Sequence, residues 1–166
     1  MSRVIDVHTS QVKVCRRDNI LVSNGIGSCI VVAAFDPLIS VGGLAHFMLS
    51  GRSTQRAANR FSFAEDAVDE LIRRMVSMGS SVSRFTVCLA GGGNVLQRPD
   101  DTVCAANIAS ISTIMEKRRL RVAACSLGGF TRRRVVLDAG AESIMCAEGD
   151  GEDFVMWSNG RTEALA

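Results

Sequence analysis

Apolar and polar residues follow two different rhythms along this chain. Up to residue 49, short apolar or β-branched runs alternate with turn residues. "QVKVC" (11–15), "NILVS" (19–23), "SCIVVAAF" (28–35) and "VGGLAHFML" (41–49) each read as strands. Residues 50–60 are polar and predict a mobile loop. The period then lengthens. Ala64, Ala67, Val68, Leu71, Ile72, Met75 and Val76 recur at i, i+3, i+4 and i+7, one buried face of a helix. Ser62 and Glu65 have the spacing of a capping box at its start, and Gly79 supplies the stop. "RFTVCLAGGG" (84–93) predicts a buried strand running into a glycine turn. A second helix is expected over about 102–118, with Cys104, Ile108, Ile111 and Met115 on its apolar face. Lys117 and Arg118 suit its negative C-terminal end. "RVAACSLGG", "RRVVLDAG" and "SIMCAE" return to strand and turn, which brings the expected domain to residue 148. Residues 149–166 read as a peripheral, flexible extension, with Phe154 and Trp157 as its docking residues. Strands outnumber helices, and most are joined without one. The expected fold class is therefore α+β: one layered sandwich domain with mixed or antiparallel sheets packed against two main helices.

Composition narrows the function. The 166 residues suffice for one domain with a real core, and 47% hydrophobic with 22% charged residues is an ordinary globular balance. No apolar run reaches the length of a membrane span, and "MSRVIDVHTS" lacks the apolar stretch of a signal peptide, so a cytoplasmic location is expected. A net charge of +2 and few aromatics argue against nucleic acid. Six cysteines stand at 15, 29, 88, 104, 125 and 146 without CxxC spacing, beside only two histidines, so no metal site is expected. In a reducing compartment most of these cysteines read as small buried hydrophobes. Gly25-x-Gly27-x-x-Ile30 lacks the third glycine of a dinucleotide loop, and no cofactor is expected. Arg118, Arg119, Arg121 and Arg132 to Arg134 read as solvated faces, and His8 as a histidine without a role.

One stretch carries chemistry. In "SNGIGSCI" (23–30) a cysteine follows two glycines and opens a β-branched run. "FDPLIS" (35–40) has the Asp and Pro of a type I turn, so residues 28–35 and 41–49 predict a hairpin. If paired numbers sum to 75, Cys29 stands directly opposite His46, with Cβ atoms roughly 4.5–5.5 Å apart. Gly25 and Gly27 let a substrate approach the main chain, and N–H groups near Ser28 and Cys29 are placed to face an oxyanion. The Ser23 hydroxyl is in range to orient the imidazole. Spacing alone leaves both readings open, a core thiol behind a turn and an activated nucleophile.

Taken together, "GIGSCIVVAAFDP" and "VGGLAHFML" resemble the CheD family of chemoreceptor glutamine deamidases, over residues from about 12 to 147. "FAEDAVDELIRRMVSMGS" is similar to the family's long helix, "LAGGGNVL" to its glycine turn, and "ACSLGGFTRRRVVLDAG" to its LGG turn and next strand. The resemblance implies that Cys29 attacks the side-chain amide of a receptor glutamine. It implies that His46 helps form the thiolate and protonates departing ammonia, with Ser23 at a position usually held by threonine. It further implies chemoreceptor cytoplasmic domains as protein substrates, with Gly92, Asn94, Asn107, Gly128 and Gly129 as substrate or partner contacts. A CheC-type phosphatase is the implied partner, and a binding module regulating that phosphatase or a receptor is the alternative reading. The chain departs from the family pattern at Cys104-Ala105-Ala106, and at Phe130-Thr131-Arg132 after the LGG turn.

Overall fold

The computed structural model describes residues 1–54 and 59–160; residues 55–58 of the expected loop and 161–166 of the expected extension lie outside the described residues. The strands β1 (Arg3–Asp6), β3 (Asn19–Ile26), β8 (Arg133–Asp138), β9 (Ser143–Glu148) and β10 (Phe154–Ser158) form one sheet in that order. A second sheet has the order β2 (Gln11–Cys15), β5 (Val41–Phe47), β4 (Ile30–Asp36), β6 (Thr86–Gly91) and β7 (Arg121–Leu127). Two α-helices, α1 (Ala64–Ser77) and α2 (Val103–Lys117), complete it. The β1–β3 and β6–β7 pairs are parallel and the remaining pairs antiparallel, with α2 as the crossover between β6 and β7. The fold is the expected α+β layered one, in the order helices, second sheet, first sheet.

The layering follows from burial. Every residue of β4, β5 and β6 is buried, so these strands are unbroken apolar runs covered on both faces. Val32, Ala34, Ala45 and Phe47 pack under Val68, Leu71 and Ile111 of the helices. Val31, Ala33, Phe35 and Leu44 face Leu21, Val135, Leu137 and Ile144 of the first sheet. β8 alternates buried and half-buried positions, the pattern of a sheet covered on one side. Gly42 and Gly43 let all three layers close on β5. A Cβ on Gly43 would stand 2.5 Å from Leu71 Cδ1, and one on Gly42 2.7 Å from Leu137 Cδ2. The sheet also runs past residue 148: β10 pairs with β9, and the Trp157 ring lies 5.5 Å from that of Phe35.

Ser62 does not cap α1, contrary to its spacing. Its hydroxyl hydrogen-bonds that of Ser10 at 2.5 Å, and the helix starts at Ala64 without a capping side chain. Carbonyls of the preceding segment replace the cap: Leu49 accepts from Ala64 N–H and Gly51 from Glu65 N–H, both at 2.9 Å. Gly79, at φ 101°, ends the helix turn as expected. Ion pairs tie α1 to its surroundings. Glu70 accepts from Arg73 and Arg74 at 2.6 and 2.7 Å, and Arg74 also reaches the Val12 carbonyl of β2. Glu65 meets Arg52, Lys117 and Arg118 at 3.0 Å each, joining α1 to α2.

These partners hold two carboxyls low. Hydrogen bonds from Arg73 for Glu70, and from Arg52 and Lys117 for Glu65, bring each to about 2 from an ordinary 4.5. A carboxyl lowered by folding stabilises the protein above its unfolded value and loses that contribution as pH falls through its folded one. The expected result is a Tm that declines between pH 4.5 and about 2, with a shallower decline in Glu70→Gln, as thermal melts across that range will measure.

Candidate active site

The hairpin that carries the candidate pair is built, in a different register. β4 and β5 pair continuously from Ile30↔Phe47 through Val31↔His46 to Asp36↔Val41, so paired numbers sum to 77 and Val31 faces His46. The turn takes four residues instead of two. Asp36 Oδ1 accepts the Leu38 N–H at 3.1 Å, and Ser40 adopts φ 51° while its hydroxyl donates to Glu142 at 2.5 Å. A shift of two residues keeps the face, whereas a shift of one would reverse it. Cys29, just ahead of β4, is thus a diagonal neighbour of His46, at roughly 7–8 Å with the Cβ atoms somewhat nearer.

His46 is only 3% exposed. Its Nδ1 lies 3.4 Å from the Val7 carbonyl, which can only accept, so Nδ1 carries the hydrogen and Nε2 the lone pair. Nε2 is buried and has no hydrogen-bond partner among the described residues. Burial pulls the imidazole below its ordinary 6.5; the Val7 bond offsets this in part, and the charge of His8 adds to it. Ser23 does not orient the ring directly. It is fully buried and donates to the same Val7 carbonyl at 2.7 Å. The residues after β1 therefore carry the ring's partner, and they are fixed by bonds from Val7 N–H to Val22 O (2.8 Å) and Ser10 N–H to His46 O (2.7 Å).

Cys29 is half-buried. Burial pushes its thiol above the ordinary 9.0, while hydrogen bonding from the Thr9 side chain and from its own N–H favours the thiolate. Burial thus disfavours the charged form of each, the thiolate of Cys29 and the imidazolium of His46. Glycine turns hold the Cys29 segment. Gly92 N–H donates to Cys29 O at 2.8 Å and Gly93 N–H to Gly27 O at 2.9 Å. The reciprocal bond from Cys29 N–H to Gly92 is absent among the described residues, which leaves that N–H free of the ladder. Gly128 N–H donates to Gly91 O, and Asn94 N–H to Gly129 O, both at 2.9 Å, so the LGG turn braces the glycine turn from behind.

An open cleft of about 540 Å³ borders Cys29, and His46 is not among its lining residues. Gly25, Gly27, Ser28, Cys29 and Asn94 line it, with Arg98, Arg132, Asp101 and the exposed Leu96 and Val103 around them. Gly92, Gly128 and Gly129 do not line it; they act through the backbone bonds above. Asn107 is not a contact either, since it is 0% exposed, and its Nδ2 donates to the Ser28 and Met48 carbonyls at 3.0 and 3.1 Å. Two participants had no signal in the sequence, the Thr9 hydroxyl and the Val7 carbonyl. Of the arginine cluster, Arg133 is buried on Ser126 and Arg134 pairs with Asp153, while Arg132 borders the cleft. Among the other cysteines, Cys15 and Cys88 are buried with thiols pushed up to about 12, whereas Cys125 is exposed, against the core reading. Among the described residues no group of three or more His, Cys, Asp or Glu is arranged to hold a metal ion, and no helix is long and apolar enough to cross a membrane.

Residues 48–148 match the family model described as CheD chemotactic sensory transduction, a region that begins after both Cys29 and His46. Whole-chain relatives reach further. A Chlorobium luteolum protein named "Probable chemoreceptor glutamine deamidase CheD" is 30% identical over 92% of this chain and 77% of its own. Proteins of the same name from Desulfitobacterium hafniense (31% identical, 87% of this chain, 92% of theirs) and Methanococcus maripaludis (33%, 75% and 82%) are similar.

Proposed function

This chain belongs to the CheD family, and on that premise we propose that it deamidates glutamine side chains on the cytoplasmic domains of chemoreceptors, with Cys29 as nucleophile. The observation that carries the reading is half-buried Cys29, a residue lining an open cleft, one diagonal step across the hairpin from a buried imidazole with an unpartnered nitrogen. The relatives' names supply the substrate class.

Chemically, His46 Nε2 takes the Cys29 proton as the sulfur adds to the amide carbon. Removal is concerted with attack, because burial disfavours a charge on either group alone. The diagonal spacing closes as substrate seats, since catalytic hydrogen bonds are often long in the empty site. Once the sulfur is bonded to carbon, the Cys29 N–H, which favours the thiolate beforehand, is available to the oxyanion of the tetrahedral intermediate. The imidazolium then protonates the leaving nitrogen, which departs as ammonia and leaves a thioester. Water, deprotonated by Nε2, hydrolyses the thioester to glutamate and returns the thiol. Val7 and Ser23 keep the imidazole in the tautomer this needs. Exposed Leu96 and Val103 on the cleft offer apolar surface to a protein substrate. Phe130, exposed just after the LGG turn, offers a separate apolar residue to a CheC-type phosphatase.

Incubation with a receptor cytoplasmic domain should release ammonia and raise the substrate mass by about one dalton per site. A wild-type protein that modifies none of its organism's receptors overturns the proposal. The pH profile is a second check. Because burial keeps His46 neutral below its ordinary 6.5, kcat/KM should stay flat through neutral pH and fall only on the acid side of that value. Iodoacetamide should label Cys29 slowly at pH 6, since burial keeps its thiol protonated there.

A further inference from the structure

We infer that Asn107 is a positioning residue for this reaction, a clamp on α2 that aims the Cys29 N–H and holds the strand end beyond His46 in place. The inference rests on the Cys29–His46 reading above. Asn107 Nδ2 donates to two carbonyls, Ser28 at 3.0 Å and Met48 at 3.1 Å, and these belong to the two segments that bear the reacting groups. Ser28 precedes the nucleophile, and Met48 stands two residues beyond His46.

The first bond acts through the peptide plane. The Ser28 carbonyl and the Cys29 N–H belong to one trans peptide and point in opposite directions. Drawing the carbonyl inward toward α2 turns the N–H outward, away from the helix. That N–H is the one the β4–β6 ladder leaves unused. The second bond fixes the end of β5, which Ser62 O holds from the other side through the Met48 N–H at 2.9 Å.

Chemistry fixes which way the amide points. Both neighbours are acceptors, so only the –NH2 end can face them, and a flipped amide would set oxygen against oxygen. The cost of this arrangement is visible on the other side of the group, where Oδ1 is buried and has no partner among the described residues. An aliphatic side chain would remove that orphan but leave the Ser28 and Met48 carbonyls without this donor. The amide therefore ties together two segments that apolar packing would leave unlinked beside the reactive groups. Asn107 touches no substrate, being 0% exposed, so its effect passes through Cys29 and His46.

The test compares Asn107→Ala and Asn107→Ser with wild type and with Ser110→Ala. Ser110 lies one turn further along α2 and accepts the Gly51 N–H at 2.9 Å, so its loss weakens the same helix contact without freeing either carbonyl. For Asn107→Ala, kcat for deamidation should fall about 10–100-fold while KM changes less than about threefold. Iodoacetamide labelling of Cys29 at pH 7 should slow about tenfold, because a turned Cys29 N–H no longer favours the thiolate, and should converge with wild type in strong alkali, where hydroxide forms the thiolate unaided. Asn107→Ser, which keeps one donor, should fall between, and it carries the test if the alanine variant does not fold. Ser110→Ala should lower Tm and leave kcat and the labelling profile unchanged. Asn107 variants that lose Tm but keep both wild-type kcat and the wild-type labelling profile overturn the inference. The labelling arm needs no receptor, so it stands even if no deamidation is found. If His46→Gln deamidates as fast as wild type, the pairing of Cys29 with His46 fails, and the bond from Asn107 to the Met48 carbonyl has no catalytic task.

Discussion

Cys29→Ala is expected to abolish ammonia release, by about 10⁴-fold or more, while leaving the fold in place. Nothing else near the cleft can take over the covalent step. Cys104 is buried and held on Asp101, and Cys125 lies outside the cleft-lining set. The fold should tolerate the change because Cys29 precedes β4, and its backbone bond to Gly92 does not involve the side chain. Only part of one small side chain leaves the inter-sheet core, so Tm should move by a few degrees at most. Ammonia assays beside a thermal melt separate the two quantities. An alanine variant that folds and still deamidates would place the nucleophile elsewhere and dismantle the mechanism.

Gly91→Ala should have the largest effect on stability of any single methyl added near the site. Gly91 sits at φ 128°, where a side chain is strained, and an added Cβ would lie 2.1 Å from the Cys29 carbonyl oxygen and 3.0 Å from Ile30 Cα. Neither atom is a flexible side-chain end, so backbone must move. Strain and overpacking together should cost about 3 kcal/mol or more, on the order of 10 °C in Tm. The displaced group is the Cys29 peptide itself, so the folded fraction should also lose activity. A melt and a kcat corrected for folded protein will show both. Near-normal values for both would mean that the glycine turn does not fix the nucleophile.

Local chemistry made the outline of this molecule legible. The strand at 11–15 and the strand at 143–148 have the bounds their patterns predict, and α2 starts within a residue of its expected position, because burial and period-2 or period-3.6 patterning act over a few neighbours. What failed was set by partners far along the chain. The hairpin register depended on Ser40 bonding Glu142, more than a hundred residues away. The Ser62 hydroxyl was claimed by Ser10, and the helix start by Leu49 and Gly51. β1 is four residues long and mostly exposed, too short to carry a pattern of its own, and exists because β3 offers an edge. At the site, Cys29 and His46 could be singled out by spacing and resemblance. The Val7 carbonyl could not, since a main-chain acceptor has no letter in a sequence. Asn107 was visible as a residue, yet its burial under the loop depended on how α2 crosses.

The support of His46 by Val7 leaves the base leaning on an outer ribbon of the sandwich. Edge strands part more readily than central ones, and β1 is secured along one border only, by β3. Anything that peels this border, such as a bulky purification tag fused ahead of Met1, would release the ring without touching the cleft. Enzyme prepared with such a tag would then misreport the turnover of the untagged protein.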